Sequence, residues 1–178
     1  MKKIFLSLSF FAVATMLTAA GAPRVSRAAL SAVENSLDGR VKQLWTDVRF
    51  LVIGPTRGVY LEGYGAVFTI EVDLVNTPTS LMHPTPTAAE VSGARQKKLE
   101  RIPMLKKALR EALVSAAASL EGVPASEQVT IVAFLPHYPW EDSTGVPVQV
   151  TAQASKGRLL DAQRAGTNLD SIIQVTDN

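Results

Sequence analysis

The sequence predicts an α+β fold: a mostly antiparallel sheet of about five strands with one long amphipathic helix packed on it, preceded by an N-terminal helix and a signal peptide. Three observations indicate this fold: an uncharged N-terminal stretch, a central segment with apolar residues at helical spacing, and strand-like segments on both sides of it. The 178 residues suffice for one domain. We therefore expect a signal peptide over 1–20, a tether and helix over 21–46, and a single domain over 47–178.

The N-terminus has the three-part pattern of a secretory signal peptide. Positively charged Met1–Lys3 precedes an uncharged stretch over 4–20, which is followed by small residues. Cleavage is expected after Ala20, because Pro23 disfavours a cut after Ala22. The alternative is retention as a membrane anchor, although a spanning helix needs about 20 apolar residues and this stretch contains Ser and Thr. The sequence therefore predicts a periplasmic or secreted protein that meets the membrane only during export.

Composition excludes several classes of function. The chain has no cysteine, which rules out disulfides and thiolate nucleophiles and suits an oxidising compartment. Its formal net charge of +2 depends on Lys2 and Lys3, so the mature chain is neutral. Binding to nucleic acid is therefore not expected, because it requires excess positive charge.

The remaining charge is unevenly distributed along the chain. Residues 91–110 are strongly basic, whereas residues 111–178 carry an excess of acidic side chains. The basic segment is either a solvated helix face or a surface for an anionic partner. Under the second interpretation, the candidate partner-binding residues are Arg101, Lys106, Lys107 and Arg110.

The first half of the chain predicts a helix and three strands. Residues 28–46 place apolar side chains at steps of three and four, which indicates a helix. Residues 48–53 predict a strand that is apolar on both faces, and the glycines and proline of 54–58 predict a turn. A hairpin then follows over 58–62 and 65–74.

The second half centres on a long helix. Residues 75–92 contain three prolines and predict a loop, either mobile or a functional lid. The strongest helical pattern spans 94–121, with Pro103 in the first turn of the main helix. The segments that follow are predicted as strands over 128–135 and 145–155, a short helix over 157–165 closed by Gly166, and a last turn through Ile173 capped by Thr167.

Paired carboxylates are the candidate catalytic groups. Alternation along a strand places Glu71 and Asp73 on one face, about 6.5–7 Å apart, and Glu62 lies on the hairpin partner. Two carboxylates at such a separation act as acid and base in glycoside hydrolases. The ordinary alternative is a pair of solvent-facing side chains.

A short loop segment offers candidate metal ligands. His137, Glu141 and Asp142 lie within six residues, and His83 lies in the predicted loop. Their spacing matches no regular metal motif, and the alternative is a polar turn. We therefore predict no cofactor.

Aromatic side chains beside turns are candidate contact residues. Tyr64 and Trp140 would form part of an aromatic platform for a glycan or a peptide. Arg57 would add a positive charge if an anion binds there. The sequence therefore favours a non-catalytic binding or interaction protein of the cell envelope, with an envelope protein or anionic envelope component as partner. The alternative is an envelope-polymer hydrolase that uses the carboxylates.

Overall fold

The computed structural model describes residues 25–48, 51–76, 78 and 85–178, which form three α-helices and a five-stranded mixed sheet. The predicted α+β class is therefore confirmed. The predicted signal peptide, residues 49 and 50 of the predicted strand, and residues 77 and 79–84 of the predicted loop, which include His83, lie outside the described residues. The elements are α1 (Arg27–Lys42), β1 (Val52–Leu61), β2 (Gly65–Val72), α2 (Ala88–Ser119), β3 (Gln128–Phe134), β4 (Gln149–Ser155), α3 (Lys156–Ala165) and β5 (Gln174–Asp177).

The strands lie side by side in chain order, β1-β2-β3-β4-β5. Strand β2 pairs with β3 in parallel, whereas the other three pairings are antiparallel. A parallel pair needs a crossover connection, and α2 supplies it. The carboxyl ends of β2 and β3 consequently lie at the same edge of the sheet.

The helices cover one face of the sheet. Helix α1 contacts β1, α2 contacts β3 and β4, and α3 contacts β4, while α2 also contacts both other helices. Alternate strand residues join the helices in one apolar core. The strand side chains buried on this covered face are Ala66, Phe68, Ile70, Val72, Val129, Ile131, Ala133, Val150, Ala152 and Ala154.

Helix α2 begins earlier than predicted, at Ala88, and residues 88–92 of the predicted loop are helical. Thr87 and Glu90 form a capping box, in which each side chain bonds the backbone N–H of the other residue and stabilises the first turn of the helix. Pro103 therefore lies inside one continuous helix, and the prediction that placed it in a first turn was wrong. An interior proline costs about 3 kcal/mol. Its ring is exposed, and burial of neighbouring residues on the other side of α2 offsets that cost.

The prediction of a strand that ends at residue 53 and a turn at 54–58 was wrong. The chain from Val52 to Leu61 is one edge strand with register shifts around Gly54. Bulges at an edge accommodate Pro55, whose missing N–H would break a central ladder.

The last predicted turn is also different in the structure. It is a short 3-10 helix over Leu169–Ser171, capped by Asn168 rather than Thr167. The chain then adds β5, a strand that the sequence analysis did not predict. By contrast, the helix predicted over 157–165 is present, and Gly166 ends it at φ 63° in the left-handed region.

Side chains of α1 close the outer edge of β1. Glu34 Oε1 accepts a hydrogen bond from the Gly58 N–H at 2.6 Å, and Asp38 Oδ1 accepts one from the Thr56 N–H at 3.0 Å. Arg27 Nη1 donates to the Gly58 carbonyl at 3.0 Å. Burial raises the pKa of Glu34, but hydrogen bonds from Arg27 and Gly58 outweigh it and lower the pKa below the usual value. These contacts occupy groups that an added strand would need.

Lys156, at the start of α3, caps the carboxyl end of α2 with its side chain. Its buried Nζ donates to the carbonyls of Leu120 at 2.6 Å and Val123 at 2.7 Å. Desolvation lowers the pKa of this ammonium. The contact satisfies carbonyls at the end of α2 that have no partner within the helix.

Two glycines of β1 provide a matched test of the packing between α1 and the sheet. A Cβ at Gly58 would lie 2.5 Å from Cε1 of the buried Phe68 ring, whereas a Cβ at Gly54 would meet nothing within 4 Å. We expect Gly58→Ala to reduce the free energy of unfolding by about 1–3 kcal/mol, the usual cost of overpacking. Gly54→Ala should leave it nearly unchanged. Urea unfolding measures both, and equal effects would contradict this packing.

Candidate functional site

Arg101 is not part of an exposed basic surface. Its side chain is buried, with Nη1 donating to the Leu74 carbonyl at 2.6 Å and Nη2 to both carboxylate oxygens of Asp47 at 2.6 and 2.7 Å. The guanidinium also lies 5.1 Å from the centre of the Trp45 ring. Hydrogen bonds from Lys97 and Arg101 lower the pKa of Asp47 to about 2. Arg101 therefore joins α2 to the segment after α1 and to the segment after β2.

The other basic candidates are largely neutralised by the C-terminal part of the chain. Lys106 pairs with Asp177 of β5 at 2.8 Å, and Arg110 pairs with Asp170 at 3.2 Å. Among the residues that the structure describes, exposed Lys107 has no ion-pair partner. The basic and acidic halves of the sequence thus pair with each other, which leaves little net positive surface on α2.

Of the three candidate carboxylates, Glu62 lies apart from Glu71 and Asp73. Glu62 is exposed in the turn between β1 and β2, whereas Glu71 is exposed near the opposite end of β2. The intervening strand separates them by about 20 Å. Asp73 is buried and accepts a hydrogen bond from the Tyr138 hydroxyl at 3.0 Å. Glu71 and Asp73 both lie near enough to Tyr138 for their negative charges to raise the pKa of its hydroxyl, but only Glu71 of the two is exposed to solvent.

A polar cluster occupies the carboxyl ends of β2 and β3. Lys98 Nζ donates to Glu141 Oε2 at 2.7 Å, with their side chains 3% and 4% exposed. Nζ also donates to the Pro136 carbonyl at 3.1 Å and lies 5.7 Å from the centre of the Tyr138 ring. Trp140 stacks on Tyr138 with ring centres 6.1 Å apart. These contacts fasten the loop after β3 to α2.

The candidate metal ligands are mostly used within the chain. Glu141 is held by Lys98, while Asp142 is exposed, accepts a hydrogen bond from the Thr144 N–H at 3.0 Å and lies 3.6 Å from Arg95. Hydrogen bonds from Thr144 lower the pKa of Asp142. His137 Nε2 and Glu141 Oε1 are buried without a hydrogen-bond partner. Over the described ranges, no group of three or more acidic or histidine side chains is placed to hold a metal ion.

The sequence analysis did not single out the uncovered side of the sheet. We call it the open face: the side opposite the helices, formed by the outward residues of β1, β2 and β3. Four of its large apolar side chains are 44–48% exposed: Ile53, Val59, Leu61 and Phe134. Tyr64, 42% exposed, extends onto this face, since its hydroxyl lies 3.2 Å from Thr130 Oγ1.

Strand register fixes the composition of the open face. Val59 lies opposite Val67, which lies opposite Thr130, and Glu71 lies opposite Phe134. A depression of about 180 Å³ lies beside Glu71 and Phe134. Among the outward residues of β1, β2 and β3, only Arg57 and Glu71 are charged. The signal in the sequence was the run of apolar residues on both faces of 48–53 and 128–135, which does not reveal which face stays uncovered.

Comparison of the chain with protein-family models, with curated proteins and with solved structures finds no significant match. Within the described ranges, each helix is too short or too polar to cross a membrane. The geometry of the chain is therefore the basis for a functional conclusion.

The hydroxyl of Tyr138 should lose its proton at a higher pH than an ordinary tyrosine hydroxyl. Burial and the hydrogen bond to Asp73 raise the pKa of Tyr138 to about 12. The folded state therefore retains this proton between pH 10 and 12, so the associated stability is complete below pH 10 and is lost as the pH rises to about 12. Ultraviolet titration of the phenolates should show one late transition that Tyr138→Phe removes. An unchanged late transition in that variant would contradict the assignment.

Proposed function

We propose that this protein is an exported, non-catalytic binding protein of the cell envelope and that it binds a protein partner through the open face. The observation that carries the proposal is the group of large apolar side chains on this face, each nearly half exposed. Contiguous exposed apolar surface marks interaction sites, because water contact with it is unfavourable. Covering these side chains supplies the free energy of association.

The magnitude suits a reversible complex. Full burial of a Val, Leu, Ile or Phe side chain contributes about 1.5–3 kcal/mol. Ile53, Val59, Leu61 and Phe134 retain 44–48% of their exposure in the folded chain, so covering them contributes roughly half of that each. The surrounding Thr and Val side chains resemble the mixed composition of non-obligate interfaces.

Electrostatics favours a protein partner over an anionic polymer. Three of the four basic candidates on α2 are already in internal ion pairs, with Asp47, Asp177 and Asp170. The mature chain would be formally neutral, since Lys2 and Lys3 are lost with the signal peptide. An anionic envelope component would therefore meet little attraction on this surface.

Export is supported by the sequence. The charged start, the uncharged stretch over 4–20 and the small residues that follow match a cleavable signal. The absence of cysteine suits an oxidising compartment. A binding role in the envelope follows from export together with the open face.

Site-specific photo-crosslinking in exporting cells tests the proposal. A photoreactive phenylalanine replaces Phe134 on the open face or, as the matched control, Met104 on α2, which is 49% exposed. We expect a discrete protein adduct from position 134 and none from position 104, because only the open face would be covered. The adduct should occur in the envelope fraction, on a chain that begins at Gly21.

Two results would contradict the proposal. Adducts of equal yield from both positions would show that position 134 is not specifically covered. A cytoplasmic adduct on an uncut chain would show that the protein is not exported.

A further inference from the structure

We infer that the partner of the open face is a second copy of this chain, packed face to face about a twofold axis. The inference rests on the proposed function, because it names the occupant of the same surface. Two antiparallel or mixed sheets commonly pack in this way about 10 Å apart.

Charge complementarity carries the inference. Arg57 of β1 lies opposite Thr69 of β2, whereas Glu71 lies two residues further along β2, opposite Gly54. The two charged side chains form no ion pair with each other within the described residues. The register makes Arg57 and Glu71 diagonal neighbours on adjacent strands, and each side chain is exposed. Opposite charges placed this way are self-complementary under a twofold rotation.

The rotation makes two identical contacts. A twofold axis that lies between the two faces, parallel to the sheets and perpendicular to the line from Arg57 to Glu71, places Arg57 of one copy on Glu71 of the other and repeats the contact by symmetry. The same operation brings no like charges together on β1, β2 and β3, because the remaining outward side chains are neutral. These are Ile53, Val59, Leu61, Val67, Thr69, Gln128, Thr130, Val132 and Phe134.

The available area suits a dimer. At about 3.3 Å per residue and 4.8 Å between strands, the open face of β1, β2 and β3 covers roughly 400 Å² per copy, and the outward sides of β4 and β5 extend it to roughly 600 Å². Side-chain relief increases that value, and specific interfaces bury about 800 Å² per partner. The open face together with the outward sides of β4 and β5 thus approaches the area that a reversible dimer needs and is smaller than a large obligate interface.

Association at the sheet edges is less favourable than association of the faces. Glu34, Asp38 and Arg27 already bond the outward N–H and C=O groups of Thr56 and Gly58 along β1. The opposite edge, β5, is four residues long. An added strand would find few free groups on either edge.

Charge exchange tests the twofold contact. The protein recovered from the envelope is examined by sedimentation equilibrium as the wild type, Arg57→Glu, Glu71→Arg and the double variant. Each single change should weaken the dimer about tenfold, because it puts two like-charged contacts at the interface. The double variant should return the dissociation constant to within about threefold of wild type. Phe134→Asp should abolish the dimer, whereas Met104→Asp should leave it intact.

Each other result overturns the inference. A wild-type protein that stays monomeric excludes the second copy, as does a dimer that survives Phe134→Asp. Failure of the double variant to recover excludes the Arg57–Glu71 contact. Thermal unfolding of each variant verifies folding, and both charged side chains are exposed, so their exchange should not alter it.

The crosslinks separate this inference from the proposed function. An adduct at position 134 with twice the mass of the chain supports the second copy. An adduct with a different protein, or an internal adduct with residues 1–24, overturns the second copy. An adduct with a different protein would still support the proposed binding function. An internal adduct would contradict that function as well, because the open face would then be covered by the chain itself.

Discussion

Burial of the apolar side of α2 against a single face of the sheet is the constraint on which the rest of the structure depends. Leu105, Leu109 and Leu113 are fully buried at intervals of four residues, and each contributes about 1.5–3 kcal/mol. Because α2 connects the parallel strands β2 and β3, it must lie on one side of both. Helices α1 and α3 pack beside it, and the opposite side of the sheet stays open.

Polar groups complete this one-sided architecture. Glu34 and Asp38 bond the edge of β1, Lys156 bonds the end of α2, and Lys98 pairs with Glu141 at the carboxyl ends of the parallel strands. Such buried charges are tolerated because each has a charged or hydrogen-bonding partner. The same pairing neutralises α2 and leaves the open face as the distinctive surface.

The sequence predicted the elements whose pattern is local. Strict alternation identified β2 and β4, and Gly166 marked the end of α3. Prediction failed where distant contacts decide the structure. Pro103 was read as a helix start because burial on the other side of α2 is not visible in sequence, and β5 was missed because its four residues depend on pairing with β4. Arg101 was taken as a surface base because its partner, Asp47, lies 54 residues away.

Hydroxyl-radical footprinting tests most directly the claim that the helix-covered face forms the core and the open face forms the binding surface. The measurement compares the protein in the cell envelope with dilute purified protein at Phe134, Tyr64 and Met104, all of which are exposed in the isolated chain. The account predicts lower oxidation of Phe134 and Tyr64 in the envelope, with Met104 unchanged. Equal oxidation of Phe134 and Tyr64 in both samples, or protection of Met104 alone, would contradict it.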